Sequence, residues 1–202
     1  MIVLVLAAVG VAAWSISRGL HHSPTPAPSR TQSPSQSAAA AAAVPLTPVS
    51  ATVYNPLGSS GDDDPADASK AIDGSASTFW HTSFYFSHRF GNLKKGTGLI
   101  LDMGRPVRLS QLTVQFGTSC CTHVMIEVGN STASAATLST FTPVQSSSAA
   151  QGSTTFNVTK QVTGRYVLIW ITDLPPLAGS SGRYETLIYD VTVHGFAAGQ
   201  PG

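Results

Sequence analysis

Beyond residue 50 the apolar positions of this chain recur every second residue. Leu112, Val114 and Phe116 fall on one side of an extended segment, with Thr113 and Gln115 on the other. Val124, Ile126 and Val128 repeat the pattern against Met125 and Glu127, and Leu187, Tyr189, Val191 and Val193 do so near the C-terminus. Successive side chains of a strand point to opposite faces, so this alternation predicts strands with one buried side. The segment Arg165–Ile171 is apolar on both sides after its first residue, which predicts a central strand covered on both faces. Further strands are predicted over 52–54, 98–102, 138–142 and 154–158, with Gly, Ser, Asn and Pro between them. No segment here sustains a helical period. Many short strands punctuated by turns predict an all-β sandwich or jelly roll.

The first residues break the pattern. Residues 1–17 are almost wholly apolar, Ile2 to Trp14 lack any polar side chain, and the first charge is Arg18. A spanning helix needs about 20 apolar residues, with a lower limit near 17. The segment is expected to be an N-terminal transmembrane helix. A cleaved secretory leader, with Val11-Ala12-Ala13 as the cleavage site, is the competing reading, and the missing basic leader counts against it. Because the apolar run starts at Met1, the chain is expected to be a truncated product or the tail of a larger membrane protein. Residues 18–50 read as a disordered linker rich in Pro, Ser and Ala, and the run Ala38–Ala43 is too short for a stable helix of its own. The adjacent His21 and His22 in that linker carry no expected metal role. Residues 51–196 then form one domain of ordinary size, and 197–202 a tail.

Charge narrows the function classes. Arg18 and Arg30 lie in the linker, which leaves nine basic residues against ten acidic ones in the rest. There is no basic stripe, so nucleic acid is not an expected partner. Only 10% of residues are charged, which suits an exported protein in a polar matrix. No GxSxG turn, no HExxH and no pair of acids across a cleft is legible, so no enzymatic activity is expected. Cys120 and Cys121 are the only cysteines. A vicinal disulfide, two reduced thiols and bonds to another chain all remain open for them.

Two blocks bear on the family. Ala71-Ile72-Asp73-Gly74-Ser75-Ala76-Ser77-Thr78-Phe79-Trp80 reads as a tight acidic turn feeding a strand with an aromatic anchor. Gly98-Leu99-Ile100-Leu101-Asp102-Met103-Gly104-Arg105-Pro106-Val107 reads as a buried strand, a Gly-containing turn and the start of another strand. With Leu187–Gly195 as a terminal strand, they resemble a discoidin-type (coagulation factor 5/8 C-type) domain, a galactose-binding-like jelly-roll sandwich. More narrowly, 67–74, 90–99 and 166–170 resemble the C-terminal ectodomain of actinobacterial MviN-type (lipid II flippase) proteins, where one membrane helix and a linker precede such a domain. The flippase helices are absent, so no transport activity follows.

The resemblance implies a binding module and no catalysis. It is expected to be single-pass at the cell membrane with its domain extracytoplasmic, recognising cell-wall glycan or a related carbohydrate. The alternative is a protein-interaction or regulatory ectodomain of a cell-wall export system, with a membrane-protein partner and no small ligand. The resemblance also implies a structural calcium in the Asp73 turn. Asp73 and Thr78 would give side-chain oxygens, Lys70, Ser75 and Ser77 carbonyls, and Asp190 would close the site, standing where Glu is common. Asp73 as the cap of its own turn is the competing reading. Trp80 and Trp170 are expected in the core. The candidate ligand surface is the segment 81–97, where aromatic faces suit sugar rings and polar groups suit hydroxyls. Its candidate residues are Tyr85, His88, Arg89, Asn92 and Lys94, joined by Arg183 and Tyr184 from the Pro175-Pro176 loop. The same residues have a plainer reading, in which Phe84, Phe86 and Phe90 cover the end of the sandwich and the charges are solvated. The run Asp62-Asp63-Asp64-Pro65 is expected to be a solvated acidic turn.

Overall fold

A computed structural model describes residues 41–197 apart from 59–61 and 132–136. Its strands are β1 (Val44–Leu46), β2 (Ser50–Tyr54), β3 (Trp80–His81), β4 (Thr97–Phe116), β5 (Thr122–Gly129), β6 (Phe141–Ala150), β7 (Ser153–Asn157), β8 (Thr163–Asp173) and β9 (Leu187–Ala197). The predicted membrane segment, most of the linker and the tail beyond 197 lie outside the described residues. Among the described residues no helix is long and apolar enough to cross a membrane.

The long β4 joins two layers. Its first half pairs with β2 and β8, and its second half with β9 and β7, all antiparallel. β8 continues to β5 and β5 to β6, while β9 takes β1 and β3 along its other side. The two strands and turn predicted over 98–107 are therefore one strand with a bend. The β4–β8 register shifts between Asp102 and Val107, and Gly104 sits at φ 71°, a left-handed conformation that a side chain disfavours. The Asp102 carboxylate holds this corner. It accepts the Gly104 N–H at 2.7 Å and a two-point bond from Arg165, Nε at 2.7 Å and Nη2 at 2.8 Å. The Arg165 bond, more than the Gly104 amide, keeps the Asp102 carboxyl below its ordinary range.

The layers close on one core. Leu99, Leu101, Ile126, Val167, Ile169 and Ile171 enter from the first layer, and Leu112, Val114, Phe116, Ile188 and Val193 from the second. Full burial of such side chains stabilises by about 1.5–3 kcal/mol each. β8 is covered on both faces, as its composition predicts. Val167, Ile169 and Ile171 face the core, while Tyr166, Leu168 and Trp170 join Tyr54, Ile100 and Phe141 in a second cluster. Glu127, predicted opposite the buried side of β5, is nevertheless buried, and desolvation raises its carboxyl.

Four local readings change. Leu187 and Tyr189 do not share the core face with Val191 and Val193. The β4–β9 register slips between Gln115 and Phe116, so Ile188 turns inward instead. Residues 138–140 form a 3₁₀ turn, and the strand begins at Phe141. Ordered pairing starts at Val44, inside the stretch read as linker, because Val44, Pro45 and Leu46 pair with Gly195, His194 and Val193 of β9. A 3₁₀ helix over Pro65–Ile72 was not visible as a period. It buries only Ala68 and Ala71, too few positions to show one.

Gly98 tests the contact between β4 and β8. A Cβ there would collide with the Ile169 carbonyl oxygen, whereas one on Gly152, at φ 52°, would meet open space. Gly98→Ala is expected to lower unfolding stability in urea by roughly 1–3 kcal/mol or more, and Gly152→Ala by less, since only backbone strain opposes it. Equal losses for the two would contradict the packing described.

Candidate functional site

Register decides where the loops gather. Thr97 stands opposite Ile171, Phe116 opposite Ile188 and His123 opposite Asp173. Because β4 turns back at its bend, both of its tips point to one end of the sandwich. The stretch carrying Asp63 and the loops 82–96, 117–121 and 174–186 all emerge there. Loops on a rigid sandwich are where binding residues collect.

Asp63 organises this end. It is fully buried, not solvated as its acidic neighbours suggest, and its carboxylate is paired with the Lys94 ammonium, itself 3% exposed. The carboxylate also accepts Thr97 Oγ1 at 2.8 Å, Tyr85 OH at 3.1 Å and the Ser83 N–H at 3.0 Å. Its own N–H donates to Ser83 Oγ at 3.0 Å, and its carbonyl accepts Trp80 Nε1–H at 2.7 Å. Lys94 reaches Asn55 Oδ1 as well, at 3.2 Å. A buried charge pair is tolerable only when its remaining lone pairs and protons find partners; here both carboxylate oxygens are met, and the ammonium also lies over the Tyr85 and Phe90 rings, 5.2 and 5.6 Å from their centres. The backbone is bent to achieve it: Asp63, Asp64, Phe90 and Asn92 all have positive φ. For a residue as bulky as Phe this conformation is unfavourable. Phe90 is held there by complete burial, its ring edge-on to Tyr85 at 5.2 Å.

Beside this node lies a cavity of ≈ 270 Å³. Pro175, Pro176, Leu177 and Tyr189 give it apolar walls, while Ser119, Thr122 and Glu185 supply polar groups. Glu185 Oε1 meets His81 Nδ1 at 2.8 Å, and Asp64 Oδ2 lies 3.3 Å from the same nitrogen. Burial raises the Glu185 carboxyl, and His81 draws it back down. β3 explains the placing. Trp80 points into the core and is fully buried, so Phe79 and His81 on either side of it turn outward. Cys120 and Cys121 are placed against each other as a vicinal pair in the 117–121 loop.

The predicted ligand residues divide. Tyr85 is buried, and desolvation, with the Asp63 charge second, raises its hydroxyl. Lys94 is turned inward. These two support the end of the sandwich and offer little to a ligand. The two loops do meet: Tyr85 and Tyr184 exchange backbone hydrogen bonds at 2.9 and 2.8 Å, and the Leu174 N–H donates to the His88 carbonyl at 2.8 Å. His88 Nδ1 lies 2.6 Å and Arg89 Nε 3.6 Å from Asp173 Oδ1. Arg89 and Asn92 line a separate groove with Leu57 and Leu93. Arg183 lies over Phe84, 4.4 Å from its ring centre. Phe84 and Phe86 are exposed, and only Phe90 of the three phenylalanines covers the core. The cavity residues Tyr189 and Glu185, and Asp64 against His81, were not among the candidates. The outward phase of Phe79 and His81 around a core Trp80 was the signal that could have found their neighbourhood.

The Asp73 turn is closed by its own side chain. Asp73 Oδ1 accepts the Ser75 N–H at 2.9 Å and Oδ2 the Thr78 hydroxyl at 2.7 Å. These two bonds, the Thr78 one larger, hold the Asp73 carboxyl below its ordinary range. The Thr78 hydroxyl also approaches the Ser75 carbonyl at 3.5 Å. Lys70, in the last turn of the 3₁₀ helix, has its ammonium on Asp67 at 2.8 Å. Asp190 pairs across from Gln115 and shares a groove wall with Gly74. Among the described residues no three His, Cys, Asp or Glu side chains stand together as metal ligands. The turn thus offers one carboxylate amid neutral oxygens, a donor set that suits calcium in kind.

Comparison with known proteins places this architecture. Residues 70–169 match the F5/F8 type C family described as NedA-like, galactose-binding domain. The domain is discoidin-like. Among solved structures it is similar to a variant of chitosan-binding module 1 from a chitosanase/glucanase of Paenibacillus sp. IK-5. The identity is 17% and the TM-score 0.52, with 74% of this chain and 96% of the module covered. Module 2 of that enzyme, solved with chitotriose, gives 16% identity and a TM-score of 0.51 over 74% of this chain and 98% of that one. Truncated AlyQ, with CBM32 and alginate lyase domains, gives 20% identity and a TM-score of 0.51; the match covers 80% of this chain and 35% of AlyQ. At such identities the shared property is the jelly-roll fold, used there as a binding module alone or beside a catalytic domain.

Removing one member of the buried pair should be severe. Lys94→Met or Asp63→Asn is expected to cost about 3–5 kcal/mol by leaving its partner buried and unpaired. Denaturant titration checks this, and a loss under about 1 kcal/mol, the range of exposed pairs, would mean the pair is solvated.

Proposed function

We propose that this chain presents an extracytoplasmic carbohydrate-binding module, tethered at the cell membrane by residues 1–17 and directed at cell-wall glycan or a related polysaccharide. The cavity beside His81 and Glu185 carries the reading. It joins apolar walls to a few convergent polar groups, the usual composition of a small-ligand site. Pro175, Pro176 and Tyr189 would cover the apolar face of a sugar ring. The Glu185 carboxylate, oriented by His81, would accept hydrogen bonds from hydroxyls, and Ser119 and Thr122 would donate or accept as needed. Nothing in this arrangement activates a nucleophile, and its role is to bind.

Calorimetry on the full chain tests it, with glucosamine, N-acetylglucosamine, galactose, mannuronate and peptidoglycan fragments as probes. Saturable binding is expected, weakened roughly tenfold or more by His81→Ala or Glu185→Gln, a change of about 1.4 kcal/mol. If loss follows Arg89→Ala and not these variants, the ligand occupies the Arg89–Asn92 groove and the cavity reading fails. A second reading is favoured by the exposed Leu57, Phe84, Phe86 and Leu93, with Phe86 76% and Leu93 79% accessible. It takes this end as the contact for a membrane-protein partner in an MviN-type export system. Absence of sugar binding, with a partner crosslinked through position 86, would favour it.

Calcium belongs to the proposal as a staple. Asp73 and Thr78, with carbonyls of Lys70 and Ser75 and the carboxylate of Asp190, would hold it, joining the first loop of the domain to its last strand. A ligand that binds only the folded state raises its stability. The melting temperature is therefore expected to rise with calcium, fall with chelator, and become insensitive to both in Asp73→Asn. An unchanged melt in the wild-type chain would remove calcium from the account.

A further inference from the structure

We infer that the sugar site continues from the Glu185 cavity onto the outer face of β4 and β9, so that the module prefers an oligosaccharide chain to a single sugar; this rests on the carbohydrate reading above. Thr118 and Tyr189 line both the ≈ 270 Å³ cavity and a larger groove of ≈ 600 Å³. The two spaces meet at these side chains, and a chain held in the first has room to run on into the second.

The groove has the chemistry for it. Its floor includes Thr113 and Gln115 of β4 and Thr192 of β9. These residues alternate with the core residues Leu112, Val114 and Phe116, or with Val191 and Val193, and so face outward. Thr113 stands opposite Thr192 on one side and Thr155 of β7 on the other, with a hydroxyl-to-hydroxyl hydrogen bond to Thr155 at 3.0 Å. Strands repeat about every 4.8 Å across a sheet, so these side chains form a row of neutral donors and acceptors. Repeated hydroxyls along a glycan match such a row. Asp190 is the one charged residue lining the groove, and no lysine or arginine lines it, so a polyphosphate or a nucleic acid finds no basic side chain there. At the junction the Tyr189 ring is set edge-on against Phe79, 5.3 Å between centres, which presents a fixed aromatic surface where the two spaces join.

The test compares chain lengths. The full chain is titrated with N-acetylglucosamine, glucosamine and mannuronate, each as mono-, tri- and hexasaccharide. The hexasaccharide of the sugar that binds is expected to bind roughly tenfold or more tightly than its monosaccharide. Gln115→Ala with Thr192→Ala should remove most of that gain and leave monosaccharide affinity unchanged. Both positions are on the outer face, and a melt matching wild type confirms that the fold persists. Monosaccharide binding that depends on His81 but does not strengthen with length overturns the extension alone. A length gain untouched by the groove variants also overturns it. Absence of binding by every probe overturns the carbohydrate reading and the extension with it.

Discussion

The buried contact between Asp63 and Lys94 governs the loop end of this molecule. Removing two opposite charges from water costs several kcal/mol per ion, and attraction between them offsets this only when every remaining hydrogen-bonding group is also met. That requirement draws in Ser83, Tyr85, Thr97 and Asn55, and through the Asp63 carbonyl the indole of Trp80. Segments far apart in sequence are thereby tied at one point. The positive-φ residues Asp63, Asp64, Phe90 and Asn92 flank it, so unfavourable backbone is concentrated where the side chains over-determine it. The cavity walls depend on this node indirectly. His81 follows Trp80 directly, and Tyr184, one residue before Glu185, is paired to Tyr85 through the backbone.

Much of the layer structure was legible from residue pattern, because strand phase is a local property. The doubly apolar 166–171 segment announced a strand covered on both faces, and β8 is one. What local pattern does not show is a bulge. The slip between Gln115 and Phe116 reverses the phase of β9 near its start, and with it which of Leu187 and Ile188 is buried. The bend at Gly104 likewise turned two apparent strands into one, since the same β8 partner that pairs up to Asp102 takes up the chain again at Val107.

The site was less legible for a related reason. Loop residues were ranked by side-chain chemistry, which treats a lysine or tyrosine as available. Tyr85 and Lys94 have the right chemistry for a sugar but are committed to Asp63, and no local feature distinguishes Asp63 from its acidic neighbours Asp62 and Asp64. Conversely, Glu185 and Tyr189 come to His81 only through the β3–β9 pairing, a contact spanning about half the chain. The division of labour that results is simple. A dry, charged node supports the end of the sandwich, and a cavity opens beside His81's partner Glu185.

The pairing of Val44 with Gly195 has a consequence for how this domain is used. It brings the point where the polypeptide enters the fold alongside the point where it leaves, at the end of the sandwich away from the loops. A domain wired in this way behaves as a cassette. It can be set into a longer polypeptide, or mounted on a stalk, without either connection crossing the loop end.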